Sequence, residues 1–297
     1  MKIVGSILLS ALVFQESESW RFVYAIYKER HPVRYMTVRM DGKDAERYSG
    51  DRKVRGLSPD GKLRLYVFKP SGTSQICTCD LDERNETKLT DGKSLDLSPS
   101  WTPDGKRIVF QSNRSGKPQV WIMDADGRNP VQLTDHPDGA TQPAASPVSE
   151  VISYREEHAG QDKLPPSTLK SMDFSGRNSR TLIEKTQMLG QEWAPKGDRL
   201  AVSLVQELRI LEFPSAKTMK SFKLDEVHKD LYAHAANVMV WRPDGGAIAC
   251  NIGFLGGRTV GTEIFGDRQV FLLPLEGSSV VIKPEASEYL LPYGWTR

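Results

Sequence analysis

Five prolines stand at nearly even intervals along this chain. They are Pro59, Pro103, Pro147, Pro195 and Pro243, separated by 44, 44, 48 and 48 residues. Each lies in a related segment, at residues 57–68, 100–110, 145–154, 193–204 and 241–250. The clearest copy reads Ser-Trp-Thr-Pro-Asp-Gly-Lys-Arg-Ile-Val-Phe at 100–110. A repeat of this length marks a chain whose units cannot bury their apolar faces alone and must stack on one another.

Within one repeat the pattern predicts four short strands. Residues 98–101 form the first, and Pro103-Asp104-Gly105 turns the chain. Proline presets φ and glycine accepts a positive φ, so this tripeptide reverses direction at little cost. Residues 107–111 form the second strand, 119–123 the third and 131–134 the fourth, with a turn at 124–129. Four strands in about 45 residues predict the blade of a propeller. The third-strand-and-turn element recurs at 35–42, 169–176 and 270–277, so the N-terminal region also builds a blade. That blade has no first strand of its own, and Tyr293-Gly294-Trp295-Thr296 supplies one from the far end. The expected fold is therefore all-β. It is a single β-propeller of about six four-stranded blades, closed into a ring by N- and C-terminal strands that share a blade.

Residues 1–19 read differently. Lys2 precedes an apolar run from Ile3 to Phe14, and Ser17 and Ser19 supply small residues at a cleavage point. The run is short for a membrane span and has the form of a secretory signal. The expected organisation is a signal peptide at 1–19 and a propeller at 20–297. The mature chain would be periplasmic or secreted, with no stable membrane span. A formal net charge of +2 leaves no basic footprint for nucleic acid. Cys77, Cys79 and Cys250 are too few for a disulfide framework, and one Cys-x-Cys lacks a second ligand pair for zinc. Buried strand thiols are expected.

The segments at 100–110, Gln-Val-Trp-Ile-Met-Asp-Ala-Asp-Gly at 119–127 and Gln-Leu-Thr at 132–134 resemble the TolB-type β-propeller repeat. The likeness is strong at 96–138, good at 57–90 and 241–250, and degenerate at 145–182 and 193–213. Ala145 stands at the Trp position, Val148-Ser149 replaces Asp-Gly, and Lys196-Gly197-Asp198 scrambles the turn. The resemblance implies a free-standing propeller without the separate N-terminal α/β domain of TolB. It also implies an envelope protein that binds other proteins. Related propellers precede hydrolase domains in peptidases, and some oligogalacturonate lyases carry a metal in a similar ring.

Candidate chemistry is sparse. Asp124-Ala-Asp126-Gly127-Arg128-Asn129 resembles the start of a calcium loop but lacks the closing Glu, and its place between strands reads as a hairpin turn. His31, His136, His158, His228 and His234 form no compact metal-binding pair. No Gly-x-Ser-x-Gly elbow or phosphate loop is present. No catalytic residue, metal or cofactor is therefore expected. Trp101, Trp193, Trp241 and Trp295 recur at one blade position and are expected to pack neighbouring blades. The irregular segments at 155–167, 226–237 and 251–268 all fall on the face of second-to-third loops and blade connections. Loops that vary on a rigid scaffold carry function. The candidate binding residues are Gln142, Gln191, Glu192, His234 and Asn237 at the channel mouth, and Phe254, Leu255, Arg258 and Phe265 in the loops. The leading expectation is an exported, non-catalytic scaffold that binds a protein or other ligand there. The alternative is a propeller lyase or hydrolase acting on a saccharide or peptide at a polar or metal site in the channel.

Overall fold

The computed structural model describes residues 21–28, 34–39, 41, 43, 46–47, 56–69, 72–82, 84–160, 164–224, 234–254, 259–260, 263–264, 270–282 and 288–296. The fold is an all-β propeller. Its chain divides into two compact units, Val54–Phe222 and Met1–Lys53 with Lys223–Arg297. The expected signal segment, residues 1–19, lies outside the described residues.

In the Val54–Phe222 unit, each four-stranded sheet is an antiparallel meander. The 96–132 sheet runs Asp96–Trp101, Arg107–Ser112, Gln119–Asp124, Val131–Gln132. The 140–186 and 188–223 sheets repeat that order. The sheet of Leu63–Phe68, Gln75–Asp80 and Thr87–Lys88 has three strands. Ahead of Leu63, Leu57 forms a bridge with Arg64, and the Leu65 N–H donates to Gly56 O at 2.8 Å. The second unit holds two more four-stranded sheets and a two-stranded ribbon, Thr259–Val260 with Glu263–Ile264. In one of these sheets Glu288–Thr296 pairs antiparallel with Arg21–Lys28. Among the described residues five sheets have four strands, so the expectation of about six four-stranded blades is not met.

The continuous apolar run Ile108-Val109-Phe110 shows why a half-buried strand pattern is absent. All three are fully buried, on opposite faces of one sheet. Ile108 and Phe110 pack with Leu65, Ile76 and Leu89 of the preceding sheet. Val109 packs with Ile152 and Tyr154 of the following one. A sheet covered on both sides needs apolar residues at every position, as buried parallel strands do. The tryptophans seal the same seams. Trp101 Nε1 donates to Gly56 O at 3.2 Å, and Trp193 Nε1 donates to Ala144 O at 3.0 Å. Phe213 meets the Trp193 ring edge to face at 4.9 Å. Cys77, Cys79 and Cys250 are buried free thiols, as expected.

The proline turns share one hydrogen-bond frame. Thr102 N donates to Arg107 O and Gly105 N donates to Thr102 O, each at 2.9 Å. Thr102 Oγ1 donates to Asp104 Oδ1 at 2.6 Å, and this hydroxyl, then the Lys106 N–H, hold the Asp104 carboxyl below its usual pKa. The third-to-fourth hairpins are equally regular. Asn85, Asn129 and Asn178 have φ of 52°, 50° and 56°. Their amides donate to Asp80, Asp124 and Asp173 at 2.6, 2.7 and 2.8 Å. The Ser175 hydroxyl, then the Arg177 N–H, lower Asp173 to about 2. The carboxylates of the calcium-like sequence therefore close a hairpin, which is the turn reading.

Gly127 rests on the preceding sheet. A Cβ there would lie 2.5 Å from Leu89 O, and φ is already +88°. Gly176 repeats the contact, with Leu133 O at 2.9 Å. Gly127→Ala is expected to lower stability by about 2–3 kcal/mol through clash and left-handed strain together. Gly61→Ala, at φ +72° with nothing within 4 Å, should lose only about 1 kcal/mol. Urea unfolding of both variants checks this, and equal losses would show that the seam contributes nothing.

Candidate functional site

First strands in this fold are interrupted. Register shifts fall between Leu97 and Ser100, between Thr141 and Ala144, and between Met188 and Gly190. Such bulges re-aim side chains and leave backbone groups off the ladder. Ser98 and Gln142 adopt φ of 50° and 49° within them, an uncommon conformation for residues other than glycine. The freed groups of Gln142 are taken up by two other glutamines. Its N–H donates to Gln111 Oε1 at 3.1 Å, and its carbonyl accepts from Gln191 Nε2 at 2.6 Å. Gln111 and Gln142 sit on neighbouring sheets and Gln191 on the next, so one amide relay spans three sheets.

A second anchor stands beside the relay. Arg155 pairs with Thr141 in register and is 9% exposed. Its Nη1 donates to Met188 O at 2.6 Å, and its Nη2 lies 3.2 Å from Glu157 Oε1 and 3.4 Å from Thr141 Oγ1. Thr141 Oγ1 also donates to Glu157 Oε1. Burial pulls the Arg155 pKa below the ordinary arginine value, opposed by the Glu157 carboxylate. Arginine at its high intrinsic pKa stays charged, so a cation bridges three first and second strands from within.

The connecting segment above these anchors is shorter than expected. Arg155 and Glu157 belong to the strand Val151–Glu157, and the next strand begins at Ser167. The remaining loop is tied down by its own contacts. Ala159 N donates to Asp138 Oδ2 at 3.2 Å, His158 Nε2 meets Thr168 Oγ1 at 2.8 Å, and His158 N donates to Pro166 O at 3.2 Å. His136 and His158 stand edge to face with centroids 5.9 Å apart. The sequence reading found no histidine pair, because these two are brought together only when a blade connection folds over the adjacent strand end. Among the described residues, no group of three or more His, Cys, Asp or Glu side chains is placed to hold a metal.

The expected binding residues meet different fates. Gln142 is half-buried, and Gln191 is 8% exposed with Oε1 buried and unpartnered. Glu192 is exposed. Gln142 and Gln191 are brought together by the relay. The backbone places His234 opposite Phe254, and Asn237 at a further bulge between Ala236 and Val238. Leu255, Arg258 and Phe265 lie outside the described residues. Gln111, Thr141 and Arg155 were missed as members of one site. The signal available was their place at strand ends on one face, but not their contacts. The arrangement is a rigid polar platform of amides and ion pairs on which short loops are fixed.

No helix among the described residues is long and apolar enough to cross a membrane. No curated protein matches the chain. A protein of Agrobacterium tumefaciens named as a candidate TolB is 27% identical over 56% of this chain, with a TM-score of 0.44; the chain spans 62% of that protein. TolB from Acinetobacter baumannii superposes over 97% of this chain and 71% of its own, at 16% identity and a TM-score of 0.58. An oligogalacturonate lyase from Vibrio parahaemolyticus superposes over 90% of this chain and 75% of its own, at 12% identity and a TM-score of 0.53. At such identities the last two likenesses establish the fold. Residues 18–209 match the TolB beta propeller domain, and the chain belongs to that family.

Proposed function

We propose that this chain is an exported, non-catalytic scaffold that binds a protein of the cell envelope through its loop face. In this reading residues 1–19 direct export and are removed, and the mature chain is periplasmic or secreted. In this reading the ring closes through the sheet that pairs Glu288–Thr296 with Arg21–Lys28. The observation that supports it best is the use made of the polar groups at the channel-mouth end. The side chains of Gln111 and Gln191 hold the backbone N–H and carbonyl of Gln142, and Arg155 holds the carbonyl of Met188, each on a neighbouring sheet. Groups so engaged stiffen a loop platform, and a preorganised surface binds a partner with less ordering cost. His234, Asn237, Phe254, Leu255, Arg258 and Phe265 continue that face in the proposal, with Glu192 on its rim.

The test is crosslinking in native cells followed by capture of the tagged full chain. A reproducible protein partner is expected, and it should be lost when residues 254–265 are deleted while thermal melting stays cooperative. Capture that survives the deletion would place the partner elsewhere. Release of unsaturated products from oligogalacturonate, or turnover of a peptide, would overturn the non-catalytic reading in favour of a propeller enzyme.

A further inference from the structure

The outer rims of the sheets are not alike. A sheet edge is an unpaired row of N–H and C=O groups that a further strand can join. Proteins blunt such rows by cutting the edge strand short, bending it or charging it. In the Val54–Phe222 unit the outer strands Thr87–Lys88 and Val131–Gln132 are cut to two residues each. Arg180–Thr186 is longer, but its ladder with Ser167–Asp173 is broken by register shifts. Thr218–Lys223 keeps six residues, and it stands last in its sheet with no strand beyond it among the described residues. Thr218, Met219 and Ser221 are exposed along it, Met219 at 57%.

Length does not blunt this edge; charge does, and the charge has one sign. From Phe213 to Leu224 the ionisable side chains are Lys217, Lys220 and Lys223. Period-two alternation puts Lys220 on one face with Phe222, and its Nζ lies 5.3 Å from the centroid of that ring. Met219 shares the other face with Ser221. The carboxylates of the adjoining strand, Glu207–Glu212, are already engaged. Glu207 accepts from Arg209 Nε and Nη2 at 2.8 Å each and from Ser221 Oγ at 2.7 Å. Glu212 accepts from Ser215 Oγ at 2.8 Å. The hairpin 207–223 thus sets Arg209, Lys217, Lys220 and Lys223 against Glu207 and Glu212. Lysines repel a second copy of the same edge and attract an acidic strand, so the device that prevents self-pairing also selects a partner. Main-chain hydrogen bonds hold an added strand, and alternate side chains read it.

We propose that Thr218–Lys223 receives an extended acidic segment of a partner protein as a further strand, with acids on Lys217 and Lys220 and an apolar residue on Met219. The edge is independent of the loop face proposed above. The test is amide hydrogen exchange of the full chain, read by mass spectrometry, with the peptide acetyl-Glu-Val-Glu-Val-Glu-Val-amide. Exchange across residues 217–223 should slow saturably as the peptide is added. Acetyl-Lys-Val-Lys-Val-Lys-Val-amide should leave it unchanged through like-charge repulsion. The acidic peptide methylated on every backbone nitrogen keeps its charge but donates no hydrogen bond to a sheet, and it should also leave exchange unchanged. The double variant Lys217→Glu with Lys220→Glu should weaken the acidic peptide by roughly ten-fold or more and let the lysine peptide bind. Lys217→Gln, at an exposed hairpin position, should weaken the acidic peptide in the same direction, so it decides the matter if the double variant does not fold. No slowing at 217–223 with the acidic peptide, equal slowing by the methylated one, or full affinity in both lysine variants would overturn the proposal. Slowing that needs no peptide and grows with protein concentration would make a second copy the occupant and overturn it too.

Discussion

Arg155→Met should lower the unfolding free energy by about 3 kcal/mol, toward the lower end of the range for breaking a buried ion pair because Glu157 remains 24% exposed. Methionine fills much of the arginine volume but returns none of its hydrogen bonds. Met188 O, Thr141 Oγ1 and Glu157 Oε1 would each lose a donor. The double variant Arg155→Met with Glu157→Gln should recover part of the loss, since the unpaired charge is gone. Urea denaturation of the single and double variants measures both effects. A single-variant loss below about 1 kcal/mol would mean that the cation does not hold the sheets together.

Phe110→Ala should cost about 3–5 kcal/mol, the usual range for emptying an aromatic site in a close-packed core. Phe110 is fully buried among Leu65, Ile76, Leu89, Ile108 and Met123, drawn from two sheets. It also supports one face of the Arg114 guanidinium. Phe68 provides the control. It is 46% exposed at a strand end, so Phe68→Ala should stay within about 0.5 kcal/mol of the parent. Similar losses at the two positions would contradict the assignment of the core to the seams between sheets.

The fold was legible because the turn that marks it is a backbone device as much as a side-chain motif. The Thr102 frame recurs at Ala194, whose N–H donates to Arg199 O at 2.9 Å, and at Arg242, whose N–H donates to Ala247 O at 2.8 Å. It persists even where Lys196-Gly197-Asp198 scrambles the sequence, because Gly197 still supplies φ +66°. The bridge of Leu57 with Arg64 across the Pro59-Asp60-Gly61 turn was legible in the same way. The candidate site was half legible. Gln142 and Gln191 could be named as polar residues at inner strands, but a bulge shifts the alternation of side chains by one position. Whether a glutamine faces a channel or a neighbouring sheet then depends on where the bulge falls. The relay also joins residues 31 and 49 positions apart, and the histidine pair joins two different loops. Such contacts are set by the stacking of sheets, which no local pattern encodes.

The tryptophan bonds run in one direction along the chain. Trp101 reaches back 45 residues to Gly56 and Trp193 reaches back 49 to Ala144. At these two seams the earlier sheet is finished by the one synthesised after it. A chain that emerges N-terminus first leaves its newest sheet with an open apolar flank until the next repeat has cleared the exit. The growing end is the sticky end throughout, and a chain stopped between repeats would present that flank to whatever holds or degrades unfinished proteins.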